Sequence, residues 1–217
     1  MRRLTLPRLF AVAVGALAFC GAAATAADAQ LGNPVSRNRE VGARTTIGAP
    51  NADMCSQYAA GGDLTDAALA ACDQAIRSER LNRANEIATR INRGAIHLRR
   101  REGEPALADF DAVIELDRRH AEAHLNRGAA LVMLGRPGLA VGSITEALSL
   151  GVREPHKAYF NRGAAREALG DMRGAYEDYT TALEIQPDWG PANAELARFV
   201  RTRQEQLANI LNRGGTR

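Results

Sequence analysis

The chain has 217 residues, 46% hydrophobic, 24% charged and 5% aromatic, with 28 Lys and Arg against 25 Asp and Glu. This composition excludes a collagen-like or mostly disordered chain and leaves room for one ordinary core or a string of small stacked units. A net charge of +3 raises nucleic acid or an anionic membrane as partners, and three cysteines leave one over after pairing.

The N-terminus accounts for both oddities. Arg2, Arg3 and Arg8 flank the start of an uncharged apolar run over residues 9–21, and small residues follow as far as Ala29. A basic start, a short apolar stretch and an Ala-x-Ala end read as a secretory signal peptide over residues 1–29. The run is too short to cross a bilayer core of about 30 Å as a helix. Cleavage is expected at Ala27-Asp28-Ala29, with cleavage after Ala26 or Ala27 as alternatives. Cys20 sits at the depth of a lipidated cysteine, but the large Phe19 before it misfits that motif. Removing residues 1–29 takes away three arginines, one aspartate and Cys20, leaving 25 basic against 24 acidic residues and two cysteines. The mature chain is nearly neutral, so no nucleic acid is expected as a partner, and no membrane span after signal removal. The expected location is periplasmic or secreted.

Residues 30–52 mix Gly, Pro, Asn, Ser, Thr and Arg without helical or strand period and read as a flexible arm. From Asp53 onward, apolar residues recur at spacings of three and four with Gly or Pro at the joints, which predicts helices. One phrase then repeats: Asn92-Arg93-Gly94-Ala95, Asn126-Arg127-Gly128-Ala129 and Asn161-Arg162-Gly163-Ala164, 34 and then 35 residues apart. A second helix phrase follows each time, over residues 106–110, 140–144 and 175–179.

Two helices in a period of 34 residues resemble the tetratricopeptide repeat, over units 87–120, 121–155 and 156–189. In that register the eighth position is Gly94, Gly128 and Gly163, the twentieth Ala106, Ala140 and Ala175, and the twenty-seventh Val113, Ala147 and Ala182. Small residues there let two helices cross at about 8–10 Å. Phe110, Ile144 and Tyr179 at the twenty-fourth position, with Leu116, Leu150 and Ile185 at the thirtieth, fill the space between units. The sequence departs from the family at the fourth position (Arg90, His124, Tyr159) and the eleventh (His97, Leu131, Arg166). The late proline occurs as Pro187 alone, and Arg101 stands where a turn glycine belongs.

The resemblance implies an all-α, antiparallel helix-hairpin solenoid of about three units. A degenerate hairpin is expected over 53–86 and a C-terminal capping helix with its tail over 190–217. Leu196, Phe199, Val200, Leu207, Ile210 and Leu211 form the apolar side of that cap, and Arg198, Arg201, Arg203 and Glu205 the wet side. In the first hairpin, Ala68, Cys72 and Ala75 keep the repeat spacing, which puts Cys55 on the facing helix. A disulfide there would close a loop worth about 3 kcal/mol. Two buried structural thiols are the alternative.

In the family, the first helix of each unit lines a concave groove. Carried over, this implies a partner-binding surface of Ile91, Ala95, Leu98, Leu125, Ala129, Val132, Met133, Lys157, Phe160 and Ala164, bordered by Ala88, Arg99, Glu122, Glu167 and Ala168. A largely apolar groove suits an apolar peptide or helix better than an acidic tail. Lys157 and Asn126 fall where some members clamp a terminal carboxylate, but Ile91, Ala95 and Asn161 occupy the other clamp positions. The alternative is a structural or self-associating module whose groove is filled by its own arm, its cap or a second copy, so a homodimer stays open.

The recurrent arginine before each glycine pairs on paper with a carboxylate of its own unit, Arg93 with Asp109 and Arg162 with Asp178, whereas Arg127 faces Ser143. His120 and His124 have the i, i+4 spacing of helix metal ligands but lack the glutamate of His-Glu-x-x-His and a third ligand. No phosphate loop, nucleophile elbow or Cys–His pair is present. The reading is therefore of a non-enzymatic protein-binding scaffold of the bacterial cell envelope, with a protein or peptide partner, no cofactor and no metal.

Overall fold

The structure is a computed structural model that describes residues 49–214. The expected signal peptide, its cleavage site, Cys20 and residues 30–48 of the arm lie outside the described residues, as do the side chains of Leu207, Ile210 and Leu211.

Among the described residues the chain forms nine helices and no strand: α1 (Pro50–Gly61), α2 (Asp66–Ser78), α3 (Arg83–Arg99), α4 (Gly103–Leu116), α5 (Ala121–Met133), α6 (Pro137–Ser149), α7 (Pro155–Ala168), α8 (Met172–Ile185) and α9 (Gly190–Gly214). Local chemistry sets most of the boundaries. Thr65, Asn82, His120 and Asp171 each accept a hydrogen bond from a backbone N–H in the first turn of the helix that follows, and Pro137 and Pro155 open α6 and α7. The start of α1 is capped from a distance, because the Glu79 carboxylate accepts from the Asn51 and Ala52 amides at 2.8 and 3.2 Å. Gly135 and Gly170 reverse the chain after α5 and α7 at φ of 69° and 82°. Arg101 does the same job after α3 at φ 64°, a backbone state that favours glycine.

Consecutive helices pack as hairpins α1/α2, α3/α4, α5/α6 and α7/α8, and α9 lies on α8. Inside each later hairpin the close approach is made by glycine. A Cβ on Gly94 would come within 2.8 Å of the Phe110 ring, and one on Gly163 within 2.9 Å of Tyr179; Gly128 meets Ile144 in the same way. The main core joins the middle units through Phe110, Val113, Leu125, Leu131 and Ile144. A smaller cluster of Phe160, Tyr179 and Ala182 closes the C-terminal end with Trp189, Leu196 and Phe199. At the other end Cys55 and Cys72 are buried together with Ala68 and Ile96. Their Cα atoms are 4.8 Å apart, inside the range a disulfide requires.

The first helices α1, α3, α5 and α7 touch in succession, whereas each second helix packs on the next first helix. That asymmetry curves the stack around the first-helix side, which is its inner face.

Two expected boundaries shift. α1 begins at Pro50, inside the stretch read as arm, because proline and Glu79 together start the helix early. α3 begins at Arg83 rather than 87, because Asn82 supplies a cap at 2.9 Å and the sequence beyond it is helix-compatible. The first hairpin ends at Ser78 rather than at residue 86.

Candidate protein-binding surface

On the inner face the ten expected groove residues divide. Ile91, Leu98, Leu125, Ala129 and Phe160 are each no more than 3% exposed. The first four belong to the main core, and Phe160 is held edge-on by Trp189 at 5.0 Å and lies 5.4 Å from Tyr179. These five are core, not an open apolar floor, and the expectation of a wide apolar groove is corrected. Adjacent first helices touch, so side chains at these positions are consumed between the units. Ala95 is buried as well, and Val132, Met133, Lys157 and Ala164 stay partly exposed, as does the adjoining Glu167; Ala88, Arg99 and Ala168 are open. What remains is narrower, built of small and flexible apolar residues.

Charges beside this face are closed into pairs. Arg153 donates to Glu122 at 3.0 Å, Lys157 lies 2.7 Å from Glu154, and Arg198 of α9 reaches both oxygens of Glu167 at 2.6 Å. The Tyr179 hydroxyl also donates to Glu167 at 3.1 Å, and burial, with that carboxylate beside it, pushes the phenol well above its ordinary range. The carboxylate clamp is not assembled, since Lys157 is engaged by Glu154 and Asn126 is 1% exposed.

The arginine ladder runs between units. Arg93 grips Asp109 of its own unit through Nε and Nη2 at 2.9 and 2.6 Å and reaches Asp73 of the preceding hairpin at 2.7 Å. Arg162 grips Asp178 at 3.0 and 2.7 Å and touches Thr145 of the preceding unit at 3.4 Å. Arg127 has Ser143 at the position where its counterparts find Asp109 and Asp178. It does not pair with Ser143, whose hydroxyl donates to the His124 carbonyl at 2.9 Å; instead it donates to Asp111 of the preceding unit at 2.6 Å. Hydrogen bonds to Asp109 and Asp178 hold the Arg93 and Arg162 guanidiniums even further into the charged form than usual. Sequence reasoning missed Asp73, Asp111 and Thr145, although all three occupy the twenty-fifth position of their units and the period itself could have exposed them.

His120 and His124 are employed separately. His120 caps α5 through Nδ1, accepting from Ala123 at 3.2 Å, and His124 Nε2 bonds the Arg118 carbonyl at 2.9 Å. Among the described residues no group of three or more His, Cys, Asp or Glu is placed to hold a metal, and no helix is long and apolar enough to cross a membrane.

A curved stack of antiparallel helix hairpins, with glycine at the three later crossings and an inner face of first helices, defines a helical-repeat solenoid. Residues 156–188 match the family model of the tetratricopeptide repeat. That stretch is thus a tetratricopeptide repeat, and the hairpins before it pack in the same way. Serine/threonine-protein phosphatase 5 of Rattus norvegicus is 30% identical over 127 residues, 58% of this chain and 25% of the phosphatase, so the match spans a quarter of that relative. The first tetratricopeptide domain of Spaghetti (RPAP3), solved bound to the HSP90 peptide SRMEEVD, is 25% identical over 55% of this chain and 94% of that domain, with a TM-score of 0.51. MamA from Desulfovibrio magneticus RS-1 shares the fold over 77% of this chain and 96% of its own, at 17% identity and a TM-score of 0.55.

Proposed function

We propose that the chain is a non-enzymatic interaction scaffold of the bacterial cell envelope that holds a polypeptide segment along its inner face. The carrying observation is the inner face itself, where Ala88, Val132, Met133, Ala164 and Ala168 remain accessible along three adjacent first helices while Glu122, Lys157 and Glu167 beside them are paired. Small side chains allow close backbone approach, and the apolar stretch over Val132, Met133, Ala164 and Ala168 favours an uncharged, apolar segment. The similarity to a domain solved with a bound peptide supports this mode of binding. The paired clamp residues argue against an acidic C-terminal tail like that domain's ligand. The salt bridge from Arg198 to Glu167 favours a partial role for α9 in closing the third unit's end of the groove.

Export by residues 1–29 would place the chain in an oxidising compartment, where Cys55 and Cys72 would join as a disulfide and fix the N-terminal hairpin. The test is crosslinking in the periplasm followed by identification of the captured protein. Met133→Glu should abolish capture at unchanged helicity, while Glu146→Lys on α6 should leave it intact. Capture that survives both Met133→Glu and Ala164→Arg sinks the groove, and an uncleaved cytosolic chain sinks the export reading. Phe160 is not a usable probe, because its ring is core.

A further inference from the structure

Three charges that border the apolar stretch of the inner face are tied down, Glu122 to Arg153, Lys157 to Glu154 and Glu167 to Arg198. Arg99, at the end of α3, is not. It is exposed and makes no hydrogen bond or ion pair among the described residues. Its surroundings leave it in that state. Arg100 is spent on Asp66 and Glu102, and the Asp63 carboxylate accepts from the Thr65 amide at 2.8 Å rather than from Arg99. The Arg99 guanidinium lies over the turn that ends α1, where Gly62 makes room for it: a Cβ there would come within 2.7 Å of Nη2. The exposed Arg101 in the next turn adds charge of the same sign.

The repeat register decides what lies beside this cation. Arg99, Met133 and Ala168 hold the thirteenth position of the three units, so they stand at one level on α3, α5 and α7, which touch in succession. Val132 adjoins Met133, and Ala164 lies one turn before Ala168. First helices packed about 8–10 Å apart match about three residues of extended chain at ~3.3 Å each. A segment laid across them places one residue on Arg99, another about three further along on Met133, and a third about six along on Ala168.

We infer that the segment held on the inner face is uncharged where it crosses α5 and α7 and carries a carboxylate where it crosses α3, and that Arg99 receives it. The partner is an acidic-apolar peptide, with Asp or Glu about three residues from an apolar side chain over Met133 and about six from a small one over Ala168. A guanidinium offers a carboxylate two parallel N–H donors, and here the pair forms without breaking a contact of the described residues. The paired charges further along the face offer no such contact, so Arg99 sets both the sign of the segment and the direction in which it lies across the units. Arg99 acts in this way only where the inner face is the binding surface, the reading on which its role rests.

The experiment is selection of a random dodecapeptide library displayed on phage against the protein expressed from its full-length sequence, followed by fluorescence anisotropy of the selected peptides at low and high salt. Wild type should enrich Asp or Glu at a fixed offset of about three residues from an apolar position, with affinity falling as salt rises. Replacing that acid by its amide should weaken binding about tenfold. Arg99→Gln should weaken it equally and make the amide replacement silent. Arg99→Glu should select Lys or Arg at the same offset. Arg99 is exposed, and circular dichroism verifies that the helices persist in each variant. Apolar peptides whose binding Met133→Glu abolishes, selected with no acid or with an acid preference unchanged in Arg99→Glu, overturn the role of Arg99 and leave the groove standing. Peptides whose binding survives Met133→Glu, or a library that enriches nothing, overturn both. An acid preference that emerges only in Glu40→Gln assigns Arg99 to the chain's own arm and overturns its role in partner binding.

Discussion

Arg127 Nε lies 2.6 Å from Asp111 Oδ1, joining α5 to the helix before it across the boundary between two repeat units. Its counterparts Arg93 and Arg162 each hold a buried carboxylate of their own unit and also reach back to the preceding one. The ladder thus does two jobs with one residue type, and burial decides what each rung contributes.

Breaking the rungs should give unequal losses. Asp178 is nearly buried and receives both Arg162 and Arg166, so Asp178→Ala should cost about 2–3 kcal/mol. Asp111 and Arg127 are both substantially exposed, so after solvent screening Asp111→Ala should cost about 0.5 kcal/mol. Urea denaturation of the two variants checks the ranking, and equal losses would contradict it.

Two glycines should respond with opposite sign to the same change. Gly128→Ala drives a methyl into the Ile144 side chain and should destabilise by about 1–2 kcal/mol, despite alanine's better helix propensity. Gly142, within α6, has open space around it, so Gly142→Ala should stabilise by up to about 1 kcal/mol. Thermal melts of both variants give the comparison.

Arg101 carries a left-handed backbone at φ 64° without the glycine that Gly135 and Gly170 supply in the later units. Arg101→Gly should raise stability by about 1 kcal/mol, the relief of that strain outweighing the entropy glycine adds to the unfolded chain. A lowered melting temperature would show that the arginine side chain matters more than its backbone.

Burial holds the His156 imidazole below the ordinary histidine range, with Lys157 lowering it further and Glu154 opposing. A base whose folded pKa is depressed takes up its proton earlier in the unfolded chain. Stability therefore stands in full above the ordinary histidine value and is lost as pH falls through that value toward the folded one. His156 packs edge-on to Trp189, the chain's single tryptophan, at 4.9 Å. Urea midpoints followed by tryptophan fluorescence should fall below neutral pH, and His156→Phe should flatten this dependence.

Reduction of the purified chain should add the mass of two hydrogens. Cys55→Ser with Cys72→Ser should cost about 2–4 kcal/mol, concentrated in α1 and α2 as read by hydrogen exchange.

The sequence by itself determined the period and the glycine crossings. The intra-unit pairs Arg93–Asp109 and Arg162–Asp178 were legible as well, because a fixed separation along the chain identifies them. Phe110, Ile144 and Tyr179, expected between units, lie against Gly94, Gly128 and Gly163 of their own hairpins, a contact that only the structure revealed. What else only the tertiary structure decided lies between units. The pairing of Arg127 with Asp111, the burial of Ile91, Leu125 and Ala129, and the reach of Arg198 to Glu167 depend on how closely one hairpin approaches the next. That approach is set by the summed packing of many side chains across a joint, and no short spacing encodes it. The family pattern places residues on the inner face, but the distance between α3, α5 and α7 decides which of them are surface and which are core.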